Sequence, residues 1–152
     1  MTLRTKKLLA RLAHAAAREI KVIYTHEPSC YNSEIKTIKI CVDGDEDCGF
    51  MRHLREVHGV KWANTIHEHI WTVLHEIGHY YTYSKYENNE HEYNIRMKFE
   101  ELSFDTVNRS PKLQNIYYNM KCEYVATKYA VDFIKRHYKL MKKLSVLLSE
   151  DE

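Results

Sequence analysis

Glycine and proline are scarce, at four and two in 152 residues. So few chain breakers leave no flexible linker and no boundary, and residues 1–152 read as one domain long enough for a single core. No internal repeat is present. Cysteine is sparse as well: the four thiols at positions 30, 41, 48 and 122 make neither a C-x-x-C pair nor a regular framework. Free thiols in a reducing cytoplasm are therefore expected. No apolar run approaches the roughly 18 residues that cross a bilayer, so no membrane span is expected. Arg11, His14 and Arg18 interrupt the apolar positions near the N-terminus, which removes the continuous apolar core of a secretion signal. An excess of one charge is also missing. A net charge of +2 makes no overall electrostatic case for nucleic acid, which is not expected as a partner.

Histidine, by contrast, is plentiful at ten residues, and two of them stand in W-T-V-L-H-E-I-G-H-Y-Y over residues 71–81. His75-Glu76-Ile77-Gly78-His79 is the H-E-x-x-H pattern of zinc peptidases. Residues four apart on a helix lie nearly above one another, so both imidazoles can reach one ion. Glu76 sits about 100° further round, beside a water on that ion rather than on the ion itself. A bound metal lowers the pKa of such a water and a nearby carboxylate takes its proton, which is the chemistry of hydrolysis. The flanks Thr72, Val73, Leu74, Ile77, Gly78, Tyr80 and Tyr81 are all uncharged. That is the dress of a buried helix, where two His and one Glu are costly without a charge to bind.

Around this stretch the pattern is mainly helical. Residues 2–19 follow a helical stripe through Leu9, Leu12, Ala13, Ala16 and Ile20, with Thr2 as cap and Arg4, Lys6, Lys7, Arg11 and Arg18 on the other face. A basic amphipathic helix can bind nucleic acid or a membrane surface, but a solvated face is the ordinary reading. Residues 20–24 and 34–42 read as strands joined through a loop at 28–33 into a small antiparallel unit. The second of them is the strand expected to accept a substrate peptide along its edge. Residues 43–47 read as an acidic turn, since Cys48 and Leu54 stand where a calcium loop needs Gly and Glu. A short helix over 50–57 should end at Gly59, and a long one over 61–83 should carry the motif. His53, His58, His67 and His69, lacking ligand spacing, are expected at the surface or beside the site. A loop over 86–92, a helix over 92–102, a helix opened by Ser110-Pro111 and running through Thr127, and a closing helix over 135–148 complete the chain. The class is α+β: a mainly helical domain with a small antiparallel sheet near the N-terminus.

Zinc requires a third protein ligand, with a fourth position left for water. The extended metzincin pattern is absent, because Thr82 and Lys85 occupy the places of its Gly and His. Candidates downstream are His91, Glu100, Glu101, Asp105, Glu123, Asp132 and His137. Glu123 stands out, since Ala126 and Ala130 on its helical face would allow close approach to the motif helix. H-E-I-G-H followed by E-Y-V-A at 123–126 resembles the gluzincin metallopeptidases. It is similar to the prenyl-protein-processing peptidases and their bacterial membrane relatives, and more loosely to small soluble peptidases that cleave phage repressors. The resemblance spans about twenty residues in two patches and implies a zincin-like fold with Glu123 as ligand. Thr127 stands where the membrane group carries Asp, and the membrane helices of that group are missing.

The expectation is a small zinc peptidase acting on peptide or protein substrates. His75, His79 and Glu123 would hold Zn²⁺ and Glu76 would serve as general base. Tyr117, Tyr118, Tyr129, His137 and Tyr138 are all candidates for stabilising the oxyanion. The alternative is a metal-stabilised interaction module without catalysis, closed by a fourth ligand such as Cys122.

Overall fold

The computed structural model describes residues 1–43, 48–86, 98, 102 and 109–151. Its described elements run, in order, α1 (Leu3–Ala16), β1 (Lys21–Thr25), β2 (Cys30–Asn32), β3 (Thr37–Cys41), α2 (Cys48–Glu56), a single 3₁₀ turn (Ala63–Thr65), α3 (Glu68–Tyr86), α4 (Pro111–Tyr118), α5 (Lys121–Arg136) and α6 (Tyr138–Ser149). The architecture is α+β, mainly helical with one small sheet near the N-terminus. No helix among the described residues is long and apolar enough to cross a membrane. The acidic turn at 44–47, most of the 87–108 stretch, and with it His91, Glu100, Glu101 and Asp105, lie outside the described residues.

The sheet is mixed rather than antiparallel. Its order is β1-β3-β2, with β1 parallel to β3 and β2 antiparallel to it. The segment expected as a plain loop supplies β2. Asn32 Oδ1 accepts from the Glu34 and Ile35 amides at 3.0 and 3.3 Å, and Lys36 adopts φ 47, so the chain folds back tightly into β3. The connection from β1 crosses the end of β3, where Ser29 Oγ accepts from the Cys41 amide at 2.9 Å. Both edges of β3 are therefore occupied. A peptide cannot add to it, which overturns the expectation that residues 34–42 receive substrate.

Burial follows the pairing, with Ile38 and Ile40 of the central strand fully enclosed. Leu9, Leu12 and Ala13 of α1 cover them together with Ile70, Trp71, Val73, Leu74 and Ile77 of α3, and Ala130, Val131 and Ile134 of α5 continue the core. Thr2 caps α1 as its sequence implies, accepting from the Thr5 amide at 3.1 Å. α2 ends before Gly59, whose φ of +65 needs a residue without a Cβ penalty. α3 starts at Glu68, seven residues later than the periodicity suggests. Residues 63–65 form the 3₁₀ turn, Ile66 is extended, and Trp71 donates its indole N–H to the Ala63 carbonyl at 3.1 Å.

One break matters for the site. The helical spacing from 110 to 127 is not one helix: α4 stops at Tyr118, and Asn119 turns its side-chain amide onto the Asn115 carbonyl at 2.7 Å. Met120 is extended at ψ 142, and α5 begins afresh at Lys121. Glu123 consequently lies in the first turn of a new helix that runs along α3.

Candidate metal centre

Helices α3 and α5 approach backbone to backbone. A Cβ added at Gly78 would stand 2.5 Å from the Ala126 carbonyl oxygen and 2.7 Å from its Cα. Only glycine fits at such a distance. Ala126, itself fully buried, is equally small. The sequence places His75 and His79 on the strip of α3 that flanks this contact and Glu123 one turn before it on α5. Close approach of the two backbones thus delivers a short carboxylate side chain to both imidazoles.

The ligating atoms of His75, His79 and Glu123 all lie within 4.8 Å of one another, and this is the group of three such residues that the described chain could offer a metal ion. His75 Nε2 is 3.1 Å from Glu123 Oε2 and 3.1 Å from His79 Nε2. His79 Nε2 is 3.5 Å from Glu123 Oε1. A tetrahedral zinc with ligands at about 2.0–2.1 Å holds its donor atoms roughly 3.3–3.4 Å apart, close to these separations, in which the two imidazoles meet different oxygens of Glu123. The chemistry of the donors agrees. Two Nε2 atoms facing each other at this distance satisfy each other only if one carries a hydrogen, whereas a cation accepts lone pairs from both. The residues present therefore fit a divalent ion.

The surroundings are dry. His75, Glu76 and Glu123 are buried, and the His79 side chain is 12% exposed. Burial pushes the Glu123 carboxyl upward. The charge on His79, hydrogen bonds from both imidazoles and the charge on His75 together outweigh it, holding Glu123 below the usual carboxylate range. It is thus ionised, as a metal ligand must be.

Three neighbours fix the group. The Thr127 hydroxyl lies 3.2 Å from His75 Nδ1, so with a metal on Nε2 the Nδ1 hydrogen would be directed to Thr127. Thr127 thus stands where an acceptor for the His75 Nδ1 hydrogen would be needed. Phe50 packs edge-on against His75, ring centroids 5.3 Å apart. The Tyr117 hydroxyl hydrogen-bonds the Glu123 carboxylate. Burial first, then the negative charges of Glu123 and Glu76, push its pKa well above the usual phenol value.

Of the expected site residues, the structure brings together His75, His79 and Glu123, with Glu76 buried on the same helix. Asp132 is instead paired with Lys128 at 2.8 Å, and His137 caps the end of α5 against the Phe133 ring. Among the five aromatic candidates only Tyr117 meets the cluster. Tyr118 stacks on His53, Tyr129 packs against Tyr81, and the Tyr138 hydroxyl meets Thr65. Nothing in the spacing of the tyrosines distinguishes Tyr117; the helix break at Asn119 does. His53 is not a surface group. It is buried, and burial, then the charges on His58 and His75, lower its pKa to about 4. Cys122 is buried beside Glu123 in the chain but does not join the ligand group.

Comparison with known protein families, with curated proteins and with solved structures finds no match.

Proposed function

We propose that this chain is a zinc-dependent peptidase of the gluzincin type. The observation that carries the reading is the convergence of His75, His79 and Glu123 within 4.8 Å, on a helix that also presents Glu76. Zinc held there supplies Lewis acidity toward a scissile carbonyl and toward water. Glu76 follows His75 directly and so lies outside the ligand set, one residue round the helix. It takes the proton of the attacking water and returns it to the leaving amine. Tyr117 holds the Glu123 carboxylate in place, and Thr127 fixes the His75 tautomer. Among the described residues three ligands meet, the number that a catalytic zinc site uses beside a fourth position for water.

The test is Glu76→Gln beside Glu123→Ala, with metal content and peptide hydrolysis measured on both. Glu76→Gln keeps stoichiometric zinc and loses about 10²–10⁴-fold in turnover, the usual worth of a general base. Glu123→Ala loses the metal. No peptide hydrolysis by the zinc-loaded wild type would end the peptidase assignment, and full activity in Glu76→Gln would end the general-base role of Glu76. Retention of tightly bound zinc in Glu123→Ala would end the ligand assignment.

A further inference from the structure

The charge of this chain is unevenly placed. Residues 1–18 carry Arg4, Lys6, Lys7, Arg11 and Arg18 and no Asp or Glu, while the remainder of the chain is net acidic. The helix sets three of these cations in a line with His14. At 100° per residue, Arg4, Lys7, Arg11 and His14 fall within about 80° of arc, directly opposite Leu9, Leu12 and Ala13. Those three face the core, and all four polar residues are exposed, as is Arg18 in the turn just beyond the helix. Arg4 is tied to Asp151 at 3.1 Å. Lys7, Arg11, His14 and Arg18 meet no carboxylate among the described residues. The nearest acid in sequence, Glu19, is taken by Lys36 at 3.1 Å.

We infer that this ridge docks the phosphate backbone of a nucleic acid. Steps of three or four residues along a helix are about 4.5–6 Å, while each strand of a duplex offers one phosphate per roughly 3.4 Å of axis, so successive side chains can engage phosphates along one strand. Arginine at two of the three free Lys and Arg positions matches phosphate in a bidentate fork. The geometry disfavours a lipid surface, because the apolar face that would enter a bilayer is already in the core and Leu3 is the only large apolar side chain exposed on α1. The inference is independent of the metal centre and of any catalytic role.

Anisotropy of a labelled random-sequence DNA duplex, titrated with full-length protein over a range of salt, tests it. Three phosphate contacts give a slope of log K against log salt of about −2.7, or a roughly 500-fold loss of affinity per tenfold rise in salt. The combined variant Lys7→Ala, Arg11→Ala, Arg18→Ala loses this binding. Lys139→Ala, Lys142→Ala, Lys143→Ala, which removes the same charge from exposed positions on α6, keeps it. Circular dichroism confirms folding. Should the combined ridge variant unfold, Arg11→Gln alone decides, lowering the slope by about 0.9. The inference fails if no salt-dependent binding is seen, if the ridge variants bind like wild type, or if the α6 variant loses as much. It fails equally if polyglutamate or phosphatidylserine vesicles bind the ridge as tightly as the duplex does.

Discussion

Replacing Gly78 by Ala separates the metal centre's geometry from its chemistry, because it touches no ligand. The new Cβ would lie 2.5, 2.7 and 2.9 Å from the carbonyl oxygen, Cα and carbonyl carbon of Ala126. Ordinary carbon contacts begin near 3.5 Å, so α5 must withdraw from α3 by up to about 1 Å. The obstructing atoms are backbone, and no rotamer change relieves them. Overpacking of this kind costs about 1–3 kcal/mol, against which Ala returns up to about 1 kcal/mol of helix propensity. The net cost in stability is therefore between about 0 and 3 kcal/mol. Metal binding is affected directly. Glu123 is one helical turn from Ala126 and moves with it, whereas metal–ligand distances tolerate only about 0.2 Å. Zinc affinity, measured by competition with a chromophoric chelator, falls about 10–100-fold or more, while the thermal midpoint falls by no more than about 10 °C and the chain stays folded. Ala126→Gly in the same chain does not rescue, since the clash is with the Ala126 backbone. Wild-type zinc affinity in Gly78→Ala would refute the claim that helix proximity sets the ligand geometry.

Thr127→Val removes the acceptor at His75 Nδ1 with little change of volume. It lowers metal affinity about 10–100-fold in the same competition assay without removing a ligand; unchanged affinity would mean that Thr127 does not orient His75. The buried His53 gives the fold an acid sensitivity of known sign. Its pKa falls from an ordinary 6.5 to about 4 on folding, so between these values the unfolded chain binds more protons. Stability from this group is fully present above pH 6.5 and is lost as the pH falls toward 4. His53→Phe, which keeps an aromatic ring against Tyr118, flattens the fall in thermal midpoint between those values. An equally steep fall in the variant would show that another group titrates.

The local signals were legible in the sequence and the pairings were not. H-E-x-x-H with uncharged flanks marks a buried helix, and the metal-binding face follows from its periodicity. Glu123 could be singled out because Ala126 and Ala130 announce a close helix–helix approach, and Gly78 is the other half of that contact. The strand order was hidden because β2 is only three residues long, and its identity rests on Asn32 and Lys36 turning the chain back, not on any apolar alternation. The split between α4 and α5 was hidden for a similar reason. The apolar spacing of Leu113, Ile116, Tyr117, Met120 and Tyr124 continues straight through it, and a single side-chain bond from Asn119 redirects the backbone. Tyr117 as the neighbour of Glu123 depends on that redirection.

Several features of the α3–α5 pair are unfavourable taken one at a time. Glycine within a helix costs roughly 1 kcal/mol relative to alanine. A buried carboxylate and two buried imidazoles each carry a desolvation penalty. Two Nε2 atoms are held at 3.1 Å, where neutral rings share one hydrogen at best. A sequence selected for stability alone could place Ala at 78 on helices set further apart, with apolar side chains at 75, 79 and 123 and nothing to neutralise. A cation among the three donors would offset these costs together, drawing on the charge of Glu123 and on both lone pairs. Local cost concentrated at one point and relieved by one ligand is the physical pattern of a functional site. The cost at His75, His79 and Glu123 thus supports the reading of these three residues as a group able to hold a metal ion.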